Sequence, residues 1–202
     1  MDGYNLVNVN ELVKQVGEDT AKRILSNFSC PLNPDVEDFI KHKAIEFDKQ
    51  GISKTHLVVC QHKGQAVIIG YFTLANKALV VTQKSLSNNL AKRIRKFATR
   101  NDDNNFVIQA PLIGQLGKNF HDHYDALISG AELLEITLNV VREAQSLLGG
   151  KIVYLECEDH EKLTEFYCNH GFCNFGKRKL DGDERASSES DYYIQMLRYL
   201  DT

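Results

Sequence analysis

The stretch EFYCNHGF, Glu165 to Phe172, sets two adjacent aromatic residues, a cysteine, a histidine and a Gly-Phe pair within eight positions. Upstream, KIVYLECE (Lys151 to Glu158) is an apolar run of strand length whose two faces both read as buried. DHEKLTEFYCNHG then reads as a short helix that Gly171 ends, and FCNFGKRKL and YYIQMLRYL as two closing strands around the polar loop DGDERASSESD. The Gly171 break returns the chain to the sheet, which orients Tyr167 at the end of its helix.

Working back from that stretch, ISGAELLEITLNVVREAQSLLGG reads as a strong helix. Ser129 is its N-cap, Glu132 completes a capping box, Leu134, Leu138, Val141 and Leu148 form a buried stripe, and Gly149 and Gly150 stop it. Before it, FVIQAPLIGQLG is a strand whose Pro111 and Gly114 predict a bulge or an exposed edge. KSLSNNLAKRIRKFATRNDDNN is a polar, helical insertion. THLVVCQHKGQAVIIGYFTLANKALVV holds β-branched and aromatic runs on both sides of QHKGQ and predicts an antiparallel hairpin. VEDFIKHKAIEFDKQG places Val36, Phe39, Ile40, Ala44 and Phe47 on one helical face, with Pro34 in the first turn and Gly51 at the end. Asn10 to Phe28 predicts two short helices interrupted at Gly17. The order is helices, hairpin, strand, helix, strand, helix and two strands. This is a mixed α/β (α+β) layer in which one irregular strand feeds a helix N-terminus suited to an anion such as a pyrophosphate.

A chain of 202 residues with a net charge of -3 suits one globular unit and has no global attraction for nucleic acid or an anionic membrane. No apolar run approaches the roughly 20 residues that cross a bilayer. The five cysteines contain no CxxC pair and the N-terminus lacks a signal-peptide pattern, so the expected compartment is cytoplasmic.

The element order, with Phe166, Tyr167, Gly171 and Phe172 in an FYxxxGF pattern, resembles the GNAT superfamily of acyl-CoA-dependent N-acyltransferases from about residue 29 to 202, with 1–28 as a helical extension. The resemblance implies a mostly antiparallel central sheet flanked by helices and acetyl-CoA as co-substrate, with no metal. It also implies that the Tyr167 hydroxyl protonates the departing thiolate of coenzyme A, with Phe166 beside the cofactor. The family's phosphate loop, Gln/Arg-x-x-Gly-x-Gly/Ala, aligns with Asp125, Ile128 and Gly130. Asp125 replaces the basic or amide residue and Ile128 the first glycine, so the main chain of Ile128, Ser129, Gly130 and Ala131 is left to hold the pyrophosphate. Gln115, Leu116 and Gly117 on the irregular strand are expected to offer backbone groups to the acetyl and pantetheine parts. FSCPLNPDVEDFIKHKAIEFDKQGISKTHLVV, IIGYFTLA and APLIGQLG look like segments of acetyltransferase toxins from type II toxin–antitoxin modules. That narrower likeness implies aminoacyl-tRNA as a candidate acceptor, and an antitoxin and a homodimer as candidate assemblies.

FVIQAPLIGQLG carries no Asp or Glu and so no evident general base. An α-amine, with a reference pKa near 8, loses its proton at a cost roughly 3 kcal/mol below that of a lysine, so an α-amine is the favoured acceptor. Glu156 and Glu158 read as water-mediated bases or, more commonly, as surface carboxylates. KRIRKFATR, Lys92 to Arg100, is the one dense basic run and reads either as an RNA contact or as a solvated helix face. His121 and His123 have HxH spacing without a third ligand. Cys157 and Cys168 read as buried apolar residues. A catalytically weak GNAT-fold protein that binds acyl-CoA or regulates is the competing function, because Asp125 puts negative charge where a pyrophosphate would sit.

Overall fold

A computed structural model describes residues 3–180 and 191–201, so most of the DGDERASSESD loop lies outside the described residues. In chain order the elements are β1 (Tyr4–Asn8), α1 (Val9–Val16), α2 (Glu18–Ser26), α3 (Pro34–Asp38), a π-helical turn (Phe39–Lys43), α4 (Ala44–Lys49), β2 (Lys54–His62) and β3 (Gln65–Val81). There follow α5 (Asn88–Ile94), β4 (Thr99–Arg100), β5 (Phe106–Lys118), a 3-10 segment (His121–Leu127), α6 (Gly130–Leu148), β6 (Ile152–Glu158), α7 (Glu161–Asn169), β7 (Cys173–Lys179) and β8 (Tyr192–Tyr199). The described strands form a mostly antiparallel sheet, the mixed α/β class that the sequence predicts. Two compact units emerge, Met1–Ala75 with Ile113–Val140 and Asn76–Leu112 with Val141–Thr202.

In the first unit, β1 and β2 pair antiparallel and β2 continues into β3 through the predicted hairpin. Lys63 and Gly64 both have positive φ (50° and 79°), the left-handed pair that a two-residue hairpin turn requires. The opening strand β1 was not legible in the sequence. Its outward residues are polar or half-exposed, so it lacks a buried apolar run. Asn33 caps α3 by accepting from the N–H groups of Asp35 and Val36, and Pro34 occupies the first turn. The predicted single helix over 34–49 contains a π-helical turn, which adds a residue to the helical ladder without breaking it. Val9, Ala21, Leu25 and Phe28 share one buried cluster with Val36, Phe39, Ile40, Ala44, Leu57 and Tyr71. Residues 9–28 therefore contribute to the same core as the helices that follow. Tyr71 is fully buried, stacks edge-on with Phe28 at 5.1 Å and donates its hydroxyl to the Val36 carbonyl at 2.5 Å, which ties α3 to β3.

In the second unit β8 lies between β6 and β7, antiparallel to both, and β4 pairs with the start of β5. Leu79, Ile94, Phe106, Ile108, Ala110, Ile152, Tyr154, Phe175 and Leu197 make its core. Leu134, Leu138 and Val141 of α6 are buried as expected, but Leu148 is 85% exposed. The apolar stripe ends a turn before the helix does, and Leu147 is exposed beside it.

Candidate active site

Tyr167 occupies a defined position in a helix-ending device. The Phe172 N–H donates to the Tyr167 carbonyl at 3.0 Å and the Gly171 N–H to the Cys168 carbonyl at 3.0 Å. That pair of bonds is a Schellman motif, with Tyr167 three residues inside the helix end, Gly171 in the left-handed conformation at φ 79° and Phe172 just beyond. The hydrophobic contact that accompanies such a cap is the Tyr167–Phe172 ring pair, 5.7 Å apart and edge-on. Phe166 packs on Tyr167 at 5.2 Å and on His170 at 4.4 Å, and the His170 Nδ1 lies 2.7 Å from the Phe166 carbonyl. The YxxxGF spacing thus has a physical cause: the cap needs a left-handed residue four positions after the tyrosine and an apolar partner five after it.

Tyr167 is buried, and that burial pushes its phenol above the ordinary tyrosine value, with the neighbouring Cys157 adding to the shift. Its hydroxyl has no hydrogen-bond partner among the described residues. A protonated, uncommitted donor is what a general acid requires. Cys157 is buried as expected and its thiol is pushed up to about 12 by burial first, then by Asp159. Cys168 is a correction: it is exposed, because it lies on the outer side of the last turn of α7. Glu156 receives Arg178 Nε at 2.7 Å and Gln195 Nε2 at 2.8 Å, which makes it a structural carboxylate of the sheet.

The other expected residues lie in the first unit. Ser129 caps α6 as predicted: its Oγ accepts from the Glu132 N–H at 3.1 Å, while its own N–H and hydroxyl both donate to the Glu132 carboxylate at 2.8 Å. Those bonds hold the Glu132 carboxyl below the usual carboxylate range. The Ser129 N–H is therefore spent, and the N–H groups of Gly130 and Ala131, the first two of a 19-residue helix, are the ones without an intrahelical acceptor. The Ile128 side chain is buried against Val58, Ile69 and Leu133. Lys118, at the end of β5, donates from Nζ to the Asp125 carbonyl at 3.0 Å, so a positive charge reaches the position where Asp125 replaces the pattern's basic residue. Spacing within the loop gave no signal for this lysine.

The predicted irregularity of β5 is present at Gly114–Gly117. A Cβ on Gly114 would lie 3.0 Å from Thr73 Oγ1, and one on Gly117 would lie 2.4 Å from Val36 Cγ1. Thr73 shares its face of β3 with Tyr71, which packs with Val36, so both glycines point to the same face although they are three residues apart. A regular strand would send them to opposite faces, so one residue between them is out of step. Gly114 is exposed, and Gln115 and Leu116 are half-exposed. Gly117 is required where α3 presses on the strand.

The basic run divides. Arg93 is bound to Asp201 and lies over the Tyr199 ring, and Arg100 bonds Asn104 and Gln83. Lys92, Arg95 and Lys96 are exposed. His121 and His123 lie in the 3-10 segment, where Asp122 and His123 have positive φ (48° and 62°), and the described residues contain no cluster fit for a metal. No described helix is long and apolar enough to cross a membrane.

No protein-family model and no curated protein matches the sequence. Solved structures match along nearly its whole length. A KacT variant with a tyrosine changed to phenylalanine has a TM-score of 0.62 at 16% identity, over 96% of this chain and 94% of KacT. AtaT complexed with acetyl-methionyl-tRNA has a TM-score of 0.61 at 17% identity, over 95% and 93%. AtaTR bound with acetyl-CoA has a TM-score of 0.55 at 17% identity, over 96% and 93%. At these identities the likeness shows the fold alone: this chain shares the mixed α/β fold of KacT and of the toxin AtaT.

Proposed function

We propose that this protein is a cytoplasmic, acetyl-CoA-dependent N-acetyltransferase whose acceptor is the α-amine of a charged tRNA. The observation that carries the reading is the Schellman end of α7. It holds a buried tyrosine with an uncommitted hydroxyl in a fold shared with a protein solved with acetyl-CoA and with acetyl-methionyl-tRNA. The Tyr167 hydroxyl gives its proton to the coenzyme A sulfur as the amide forms, with Phe166 packed beside it. Gly130 and Ala131 N–H groups hold the pyrophosphate with the α6 dipole behind them, and Lys118 supplies the cation that the loop lacks. The half-exposed main chain of Gln115 and Leu116, with Gly117 fixing the strand's path, positions the acetyl and pantetheine parts. Lys92, Arg95 and Lys96 contact the tRNA backbone. An antitoxin segment and a second copy of the chain are candidate partners, the first because AtaT is solved bound to the C-terminus of the antitoxin AtaR.

Acetyl-CoA titration by calorimetry, followed by thiol release with a panel of amines and charged tRNAs, tests this reading. Binding at micromolar ligand and release dependent on charged tRNA are expected; no binding overturns it. Replacing Lys92, Arg95 and Lys96 by Gln should weaken tRNA binding, flatten its log–log salt dependence by roughly two to three and leave transfer to a small amine intact. The Glu132 carboxylate, seated on the Ser129 N–H, favours the second reading of a GNAT-fold protein that binds acyl-CoA weakly or regulates. Binding without thiol release on any acceptor would establish that reading.

A further inference from the structure

Three buried side-chain oxygens in the first unit have no hydrogen-bond partner: Asp48 Oδ2, Ser53 Oγ and Thr55 Oγ1. All three residues are more than nine-tenths buried. Folded proteins rarely leave such atoms unsatisfied, and where several lie together an ordered water bridges them.

Their placement forms a row. Thr55 of β2 lies directly opposite Thr73 of β3, and Thr73 Oγ1 is 3.0 Å from the Cβ position of the exposed Gly114 on β5. Ser53 is two residues before Thr55 and so lies on the same side of the extended chain. Asp48, in the last turn of α4, is held at the start of β2 by Lys54, whose Nζ donates to Asp48 Oδ1 at 2.7 Å and to its carbonyl at 3.2 Å. Beyond the threonine pair the same face becomes apolar with Leu57 and Tyr71. A polar track therefore begins at bare, exposed main chain in the irregular part of β5 and ends at a carboxylate whose lysine partner is half in solvent.

We propose that this row holds ordered water and carries the proton of the acceptor amine from Gly114, past Thr73, Thr55 and Ser53, to the Asp48 carboxylate. The proposal rests on the acetyl-transfer reading and supplies the base that β5 lacks. The balance is simple: an N–H bond of the ammonium breaks, leaving its electron pair on nitrogen, each water or hydroxyl accepts one proton and passes on another, and Asp48 releases the proton to solvent beside Lys54. The charged and titratable groups around Asp48 are Lys54 and His56 of β2, with Glu46 and Lys49 on its own helix. Burial disfavours the charged form of His56.

Thr55→Val is the decisive variant, because it preserves shape and removes a hydroxyl that has no partner, so the fold is retained. With an α-amine acceptor, its kcat/KM should fall about tenfold or more near neutral pH and converge on the wild type above the amine's pKa of about 8, where the proton is already gone. Acetyl-CoA affinity should be unchanged and Thr55→Ser should restore the profile. Parallel pH profiles for Thr55→Val and the wild type, in an active enzyme, overturn the proposal and leave the acetyltransferase reading standing. A wild type that transfers acetyl to no amine fails that reading first, and the proton path with it. A high-resolution crystal structure gives a readout independent of activity: water touching Asp48 Oδ2, Ser53 Oγ and Thr55 Oγ1 is expected, and a dry cluster overturns the path.

Discussion

The C-terminus of α7 and the N-terminus of α6 are both helix ends, yet they relate differently to their sequences. At α7 the side chains make the geometry: Gly171 adopts the left-handed conformation and Phe172 packs on Tyr167. At α6 the main chain makes the geometry, and the side chains around it serve the helix itself. Ser129 and Glu132 close a capping box that uses one of the N–H groups an anion would want. Side-chain-built ends keep a readable signature, whereas main-chain-built ends let the sequence vary as long as the helix starts.

The sharpest way to break this comparison is Tyr167→Phe. The ring stays on Phe166 and Phe172 and only an unpartnered hydroxyl is lost, so thermal stability and acetyl-CoA affinity should be unchanged. In the proposed mechanism the proton donor disappears, and turnover should drop about 10²- to 10⁴-fold. Because burial raises the phenol's pKa, the neutral form persists through and beyond the usual tyrosine range. The wild-type rate should accordingly show no descending limb from this residue below about pH 10. Unchanged turnover in steady-state kinetics would reduce the whole α7 end to packing.

The sequence made some parts of the molecule legible and hid others for physical reasons. The hairpin, the α6 capping box, the Pro34 helix start and the irregular strand all announce themselves, because each depends on residue types with restricted backbones or specific bonds. β1 hides because it is short and half-exposed. The π-helical turn hides because it disturbs the ladder by a single residue while Val36, Phe39, Ile40 and Ala44 keep their apolar face. Leu148 reads as core by period alone, and only the end of the apolar stripe in three dimensions corrects it. Lys118 reaches Asp125 from the preceding strand, and the link from Thr55 to Thr73 depends on pairing across strands, so no local spacing could reveal either.

Gly171→Ala tests how far the α7 geometry depends on its glycine. Alanine at φ 79° costs about 1 to 2 kcal/mol, and its Cβ would also approach Arg198 Nε at 3.3 Å. Chemical denaturation should show that loss. Turnover should fall more than acetyl-CoA affinity, since the Schellman turn aims Tyr167 and does not touch the phosphates in the proposed mechanism. Full activity at reduced stability would separate the cap from the catalytic role.

The smallest effect is expected at the other helix end, from Glu132→Gln. Removing the carboxylate takes a negative charge away from the α6 N-terminus and weakens its hold on the Ser129 N–H, so acetyl-CoA should bind roughly two- to five-fold more tightly. The helix start pays for this with a weaker cap. Glu132 has a depressed pKa in the folded protein, so its contribution to stability is fully present above the pKa of the unfolded chain and is lost as pH falls through the lower folded value. Wild type and variant should therefore differ in thermal stability at neutral pH and converge in acid. If affinity falls instead, the capping box helps to present Gly130 and Ala131 to the ligand, and the side chains at α6 matter as directly as those at α7.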